Sequence, residues 1–140
     1  MDYYRIEQFA AGITNIKDII DFEIKELRNL DIPDYLGIKL DSEIDQRMFE
    51  NANTADDLSE NVIDEIIEKV YDEVKGFSYG LWLGDNPERI KEMYGNSDVK
   101  DILSVYDIDK NKLKILSNLG SDGILFVSKE KLVPYKKIEL

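Results

Sequence analysis

Carboxylates are the groups with which this chain could do chemistry. Among its 140 residues there is no histidine and no cysteine, against 30 Asp and Glu. That removes Ser-His triads, imidazole bases, thiolate metal sites and disulfides together, leaving carboxylates, hydroxyls, Lys, Arg or a bound cofactor. Two acidic patterns stand out. Glu60, Asp64, Glu68 and Asp72 recur every fourth residue, so on a helix they form one ladder with a rise of ~6 Å per step. Asp107, Asp109 and Asn111 resemble the opening of a calcium loop, but Lys112 stands where the turn needs glycine and Asn118 where a bidentate glutamate belongs. A solvated turn at the end of a strand is the reading of that run, and no metal site is expected. Gly76, Gly80 and Gly84 match neither a dinucleotide fingerprint nor a phosphate loop, and read as turn and close-packing glycines.

The ladder has two readings. It is either a solvated face of a surface helix, or an imitation of a nucleic-acid backbone whose spacing approaches that of successive phosphates within a factor of two. Charge distribution bears on the choice. The formal net charge is −12, and residues 41–73 alone hold 12 acidic and 2 basic residues, whereas residues 110–140 are net basic. Such a chain is repelled by nucleic acid and anionic membranes and attracted to basic proteins.

The elements that must carry these residues are legible from periodicity. Residues 2–7, DYYRIE, read as an opening strand. Ile16, Ile19, Ile20, Ile24 and Leu27 give an amphipathic helix over about 15–30, capped by Thr14 or Asn15. A connector follows over 31–40, then a weaker helix within 41–53 with Ser42 as cap and Ile44, Met48 and Phe49 on one side. In the helix expected over 56–75, Leu58, Val62, Ile66, Val70 and Val74 form the stripe, widened by Ile63, Ile67 and Tyr71. Tyr79, Leu81 and Leu83 alternate with Gly80, Trp82 and Gly84, which is a strand over 78–84. Asp85 or Asn86 caps the next helix, Pro87 opens it, and Ile90, Met93 and Tyr94 face inward. Gly95 ends it in a left-handed conformation. Strands are expected at 102–106, 123–127 and 135–140, with a short helical turn over 113–119. This order predicts one α+β domain spanning 1–140, with a mixed or antiparallel sheet of about four to five strands. The lack of a leader pattern and of any long apolar run gives a cytoplasmic expectation.

The Tyr3-Tyr4-Arg5 strand, the G-aromatic-x-G-D-x-P-E turn into a helix ending Tyr94-Gly95, the strand ending Val105-Tyr106-Asp107 and the late Gly-Ile-Leu-Phe-Val strand together resemble the small ADP-ribosyltransferase-like proteins of bacteria and their phages. The resemblance covers the first residues and 77–130. It implies that Arg5 helps hold NAD and that Ser78 with Tyr79 lines the nicotinamide pocket. It also implies that Asp122 stands where the family carries its glutamate, which stabilises an oxocarbenium-like ribose. With the acidic format, it also implies a phage or mobile-element origin. The leading expectation is therefore an acidic inhibitor, of anti-CRISPR or anti-restriction type, that blocks a basic nucleic-acid-handling protein through Glu60, Asp64, Glu68 and Asp72. It would contact neither nucleic acid nor membrane directly and need no cofactor. Two other functions stay open: an NAD-dependent mono-ADP-ribosyltransferase acting on a host protein, for which the catalytic residue is not assigned, and a toxin-immunity protein.

Overall fold

A computed structural model describes residues 1–7, 15–29, 37–95 and 101–140. Thr14 as a cap, Leu30 as a helix end and most of the expected 31–40 connector lie outside the described residues. The strands are β1 (Asp2–Glu7), β2 (Tyr79–Leu83), β3 (Ile102–Asp107), β4 (Lys114–Asn118), β5 (Ile124–Ser128) and β6 (Lys136–Glu139). The helices are α1 (Ile16–Arg28), α2 (Glu43–Asn51), α3 (Glu60–Val74) and α4 (Pro87–Tyr94). The α+β class holds. Instead of one sheet, the described residues form two three-stranded antiparallel sheets, ordered β1-β3-β6 and β2-β5-β4. They meet where β1 touches the end of β2: Tyr4 N–H donates to Gly84 C=O at 2.7 Å and Gly84 N–H returns the bond to Tyr4 C=O at 2.9 Å.

Alternation along the central strands builds two cores. Leu81, Leu83, Ile124 and Phe126 turn toward β1 and β3, where Tyr3 meets Phe126 edge-to-face at 5.0 Å. Leu125, Val127 and Leu116 turn the other way, onto the stripes of α1 and α3. Phe126, Leu125 and Val127 have no exposed surface, so β5 is buried on both faces. A third cluster, Ile6, Ile90 and Leu103, seats α4 on the first sheet. Ile90 approaches so closely that a Cβ at Gly84 would lie 2.3 Å from its Cδ1, which fixes glycine at that junction.

Several expectations are corrected. Residues 114–118 form a strand, not a helical turn: pairing with β5 drives Leu116 into the helix-side core, and that burial outweighs local preference. The helix expected from residue 56 starts at Glu60. Thr54 and Asp57 first make a reciprocal cap around a 3-10 turn, and Ser59 then accepts the Val62 N–H. Tyr71, Met93, Tyr94, Met48 and Ile44 are exposed, so the apolar faces of α2, α3 and α4 are narrower than their periodicity implies. Gly95 is not left-handed. Its φ is −67°, and glycine fits there because a Cβ would fall 2.4 Å from the Lys91 carbonyl oxygen.

Candidate functional site

Beside the Tyr4–Gly84 junction lies a cavity of about 380 Å³. Its walls come from distant parts of the chain: β1 brings Arg5, α1 brings Phe22 and Glu23, β2 brings Trp82, α4 brings Tyr94, and the turn before β5 brings Asp122. Local sequence explains each placement. In β1, Tyr3 and Ile6 are buried while Arg5 is half-exposed. In β2, Leu81 and Leu83 occupy the inter-sheet core, so the alternation sends Trp82 to the α1 side. α4 begins firmly because the Asn86 side chain accepts from Glu88 N–H and Arg89 N–H and Pro87 opens the first turn.

Asp122 is held in place. Arg89 donates to its Oδ1 from Nε at 3.1 Å and from Nη2 at 2.9 Å, and the same guanidinium lies 3.5 Å from Glu92. The bond to Asp122 raises the Arg89 pKa. Both donors reach the same oxygen, so Oδ2 stays outside that pair. Arg5 has no ion pair among the described residues, and neither has Glu23, although Glu23 is only 7% exposed. Burial away from water pushes the Glu23 carboxyl above its ordinary value, and the nearby Glu26 charge adds to the effect.

Of the residues that the family resemblance assigns to a cofactor, the structure brings Arg5 and Asp122 to one cavity. Ser78 and Tyr79 do not reach it. They lie at the opposite end of β2, where Ser78 N–H donates to Ser128 C=O and Tyr79 bridges Asn15. The aromatic wall is supplied by Trp82 instead. Glu23 escapes the sequence reading, yet its signal is present: it sits three residues after Ile20 and four before Leu27, inside the apolar stripe of α1. A carboxylate in a core-facing position is the anomaly that points to a site.

The ladder is separate. Glu60, Asp64, Glu68 and Asp72 are all exposed on α3, and none is ion-paired among the described residues. Other charges on and near that helix are engaged, Lys69 with Asp41 at 2.9 Å and Glu73 with Lys114. In the Asp107–Asn111 turn, Asn111 N–H donates to Asp109 and the N-terminal ammonium to Asp107. Among the described residues no helix is long and apolar enough to cross a membrane.

The raised Glu23 pKa carries a sign. The folded state binds that proton more tightly than the unfolded chain, so its stabilising contribution is complete in acid. It is lost as pH rises from the unfolded value through the raised folded one. Glu23→Gln should therefore gain stability relative to the parent as pH climbs from about 4. Urea unfolding of both proteins across pH measures the difference. A difference independent of pH would contradict the burial argument.

Compared with protein-family models, with curated proteins and with solved structures, the chain matches none.

Proposed function

We propose that the cavity binds the nicotinamide end of NAD and that the protein is an NAD-dependent mono-ADP-ribosyltransferase acting on a protein substrate. The observation that carries this reading is the meeting of Arg5 and Asp122, far apart in the chain, in a single cavity with an aromatic wall. A volume of about 380 Å³ lies within the range of small-molecule pockets and suits one half of a dinucleotide. Arg5, lacking an ion pair among the described residues, offers a charge-assisted bond to a phosphate oxygen. Trp82 and Phe22 line the cavity and offer apolar faces to a ring. Asp122, fixed through Oδ1 by Arg89, has Oδ2 left to accept from a ribose hydroxyl. When bound, NAD supplies the ADP-ribosyl group and its nicotinamide is the leaving group. Titration calorimetry with NAD tests the reading. Saturable heat is expected, and its absence at millimolar cofactor would retire it.

A second reading, the acidic inhibitor of a basic nucleic-acid-handling protein encoded by a phage or other mobile element, is favoured by the ladder. Four exposed carboxylates without ion pairs among the described residues make one outward field on α3. A toxin-immunity role would draw on the same face. Here association should be electrostatically steered, so the on-rate falls steeply with salt. Changing all four residues to Asn or Gln should weaken binding more than four changes elsewhere on the acidic surface. Salt-insensitive binding that survives the quadruple change would remove the ladder from the interface and shift attention to Lys129, Lys131, Lys136 and Lys137.

A further inference from the structure

Glu23 is more than nine-tenths buried, lines the cavity, and receives no hydrogen bond or ion pair from any described residue. Among the described residues Ser104 Oγ is the wholly buried side-chain polar atom without a partner, so the Glu23 oxygens, which also lack one, open onto the cavity, where water or a ligand must satisfy them. Tyr4, Phe22, Trp82 and Tyr94 line the same cavity, Phe22 and Tyr94 at its exposed margin. Aromatic faces around a carboxylate are the surroundings in which an organic cation is held, through the ring quadrupoles and the opposite charge together. Arg5, the cation in the same cavity without an ion pair among the described residues, supplies the opposite polarity for an anionic part of the same ligand.

We infer that the cavity recognises a planar organic cation, its ring against the aromatic wall and its positive charge against the Glu23 carboxyl. This rests on the reading of the cavity as a ligand site and goes further, since it names the charge that the ligand must carry at one end. An oxidised nicotinamide ring is such a cation and a reduced one is neutral, so a dinucleotide would be taken in its oxidised form. The ionised carboxylate is the form that meets the ligand. Ligand binding and ionisation of Glu23 therefore favour each other, and binding should strengthen as pH rises. Among the described residues, the other charged groups of the cavity and its margin are Arg5 from β1, Asp122 with its partner Arg89 on α4, and Glu26 one turn along α1.

Two ring probes of similar shape test this on the whole chain: N-methylquinolinium, which is permanently charged, and quinoline, which is neutral at neutral pH. Trp82 is the only tryptophan, so the NMR signal of its indole N–H reports on the cavity directly. The expected result is saturable movement of that signal by the cation, with at least about tenfold weaker binding of the neutral ring. In Glu23→Gln the preference should collapse to within about twofold. Equal binding of the two rings in the parent, a preference that survives Glu23→Gln, or no saturable binding of either ring would each overturn the inference. NAD titrated in the same way separates the two proposals. Cation binding that depends on Glu23, with no NAD binding, leaves the inference standing and removes the NAD reading. NAD binding that is indifferent to Glu23→Gln and equal for the reduced cofactor does the reverse.

Discussion

Ile66→Ala lowers the free energy of unfolding by about 2–5 kcal/mol, whereas Glu68→Gln leaves it unchanged or raises it by ~0.2–0.5 kcal/mol. The two residues lie two positions apart on α3 and face opposite ways. Ile66 has no exposed surface and sits at the middle of the stripe of Val62, Val70 and Val74, against the helix-side core of Leu125 and Val127. Truncating it leaves a cavity that a closely packed interior closes only partly. Glu68 is exposed between Asp64 and Asp72, each four residues away, so removing its charge relieves like-charge repulsion and breaks no ion pair among the described residues. Urea unfolding read by far-UV circular dichroism gives both values. A loss at Glu68 as large as that at Ile66 would mean that the acidic face is engaged within the fold itself.

Arg5→Ala should weaken NAD binding by at least about tenfold, corresponding to the roughly 1.5–3 kcal/mol carried by a hydrogen bond to a charged group. The fold should survive, because Arg5 is half-exposed on β1 and has no ion pair among the described residues. This separates it from Trp82, whose ring also packs against the α1 and α3 core, so that its truncation would lower stability and binding together. Arg5→Lys should restore part of the affinity, since a point charge replaces the planar fork. The affinities come from calorimetry and the fold from the unchanged unfolding midpoint. Full affinity in Arg5→Ala would take Arg5 out of the site.

Most of the fold can be read from the chain because its strong signals are local. The alternation of Tyr79, Leu81 and Leu83, the Asn86-Pro87 start of α4 and the four-residue repeat of α3 each fix an element without reference to the rest. What periodicity does not carry is decided at a distance. β4 is a strand because β5 needs a second neighbour, and two sheets form because β1 pairs with β3 and not along β2. The site divides in the same way. The family resemblance points to Arg5 and Asp122, yet only the folded chain brings them to one cavity. The same resemblance points to Ser78 and Tyr79, which fall at the other end of β2 from the cavity, since a strand of five residues separates its two ends by ~15 Å. Glu23 is legible as a charge within an apolar stripe. A reading that scores a helix by its apolar residues passes over the polar one among them.

If the cavity beside the Tyr4–Gly84 junction, and not the acidic face of α3, is where this protein meets a small-molecule ligand, the map of backbone amide shifts on addition of NAD tests it most directly. The predicted result is saturable movement confined to residues 4–6, 22–23, 82–84, 90–94 and 119–123, with the signals of Glu60, Asp64, Glu68 and Asp72 unmoved. Movement centred on those four residues, or no saturable movement anywhere, would contradict it.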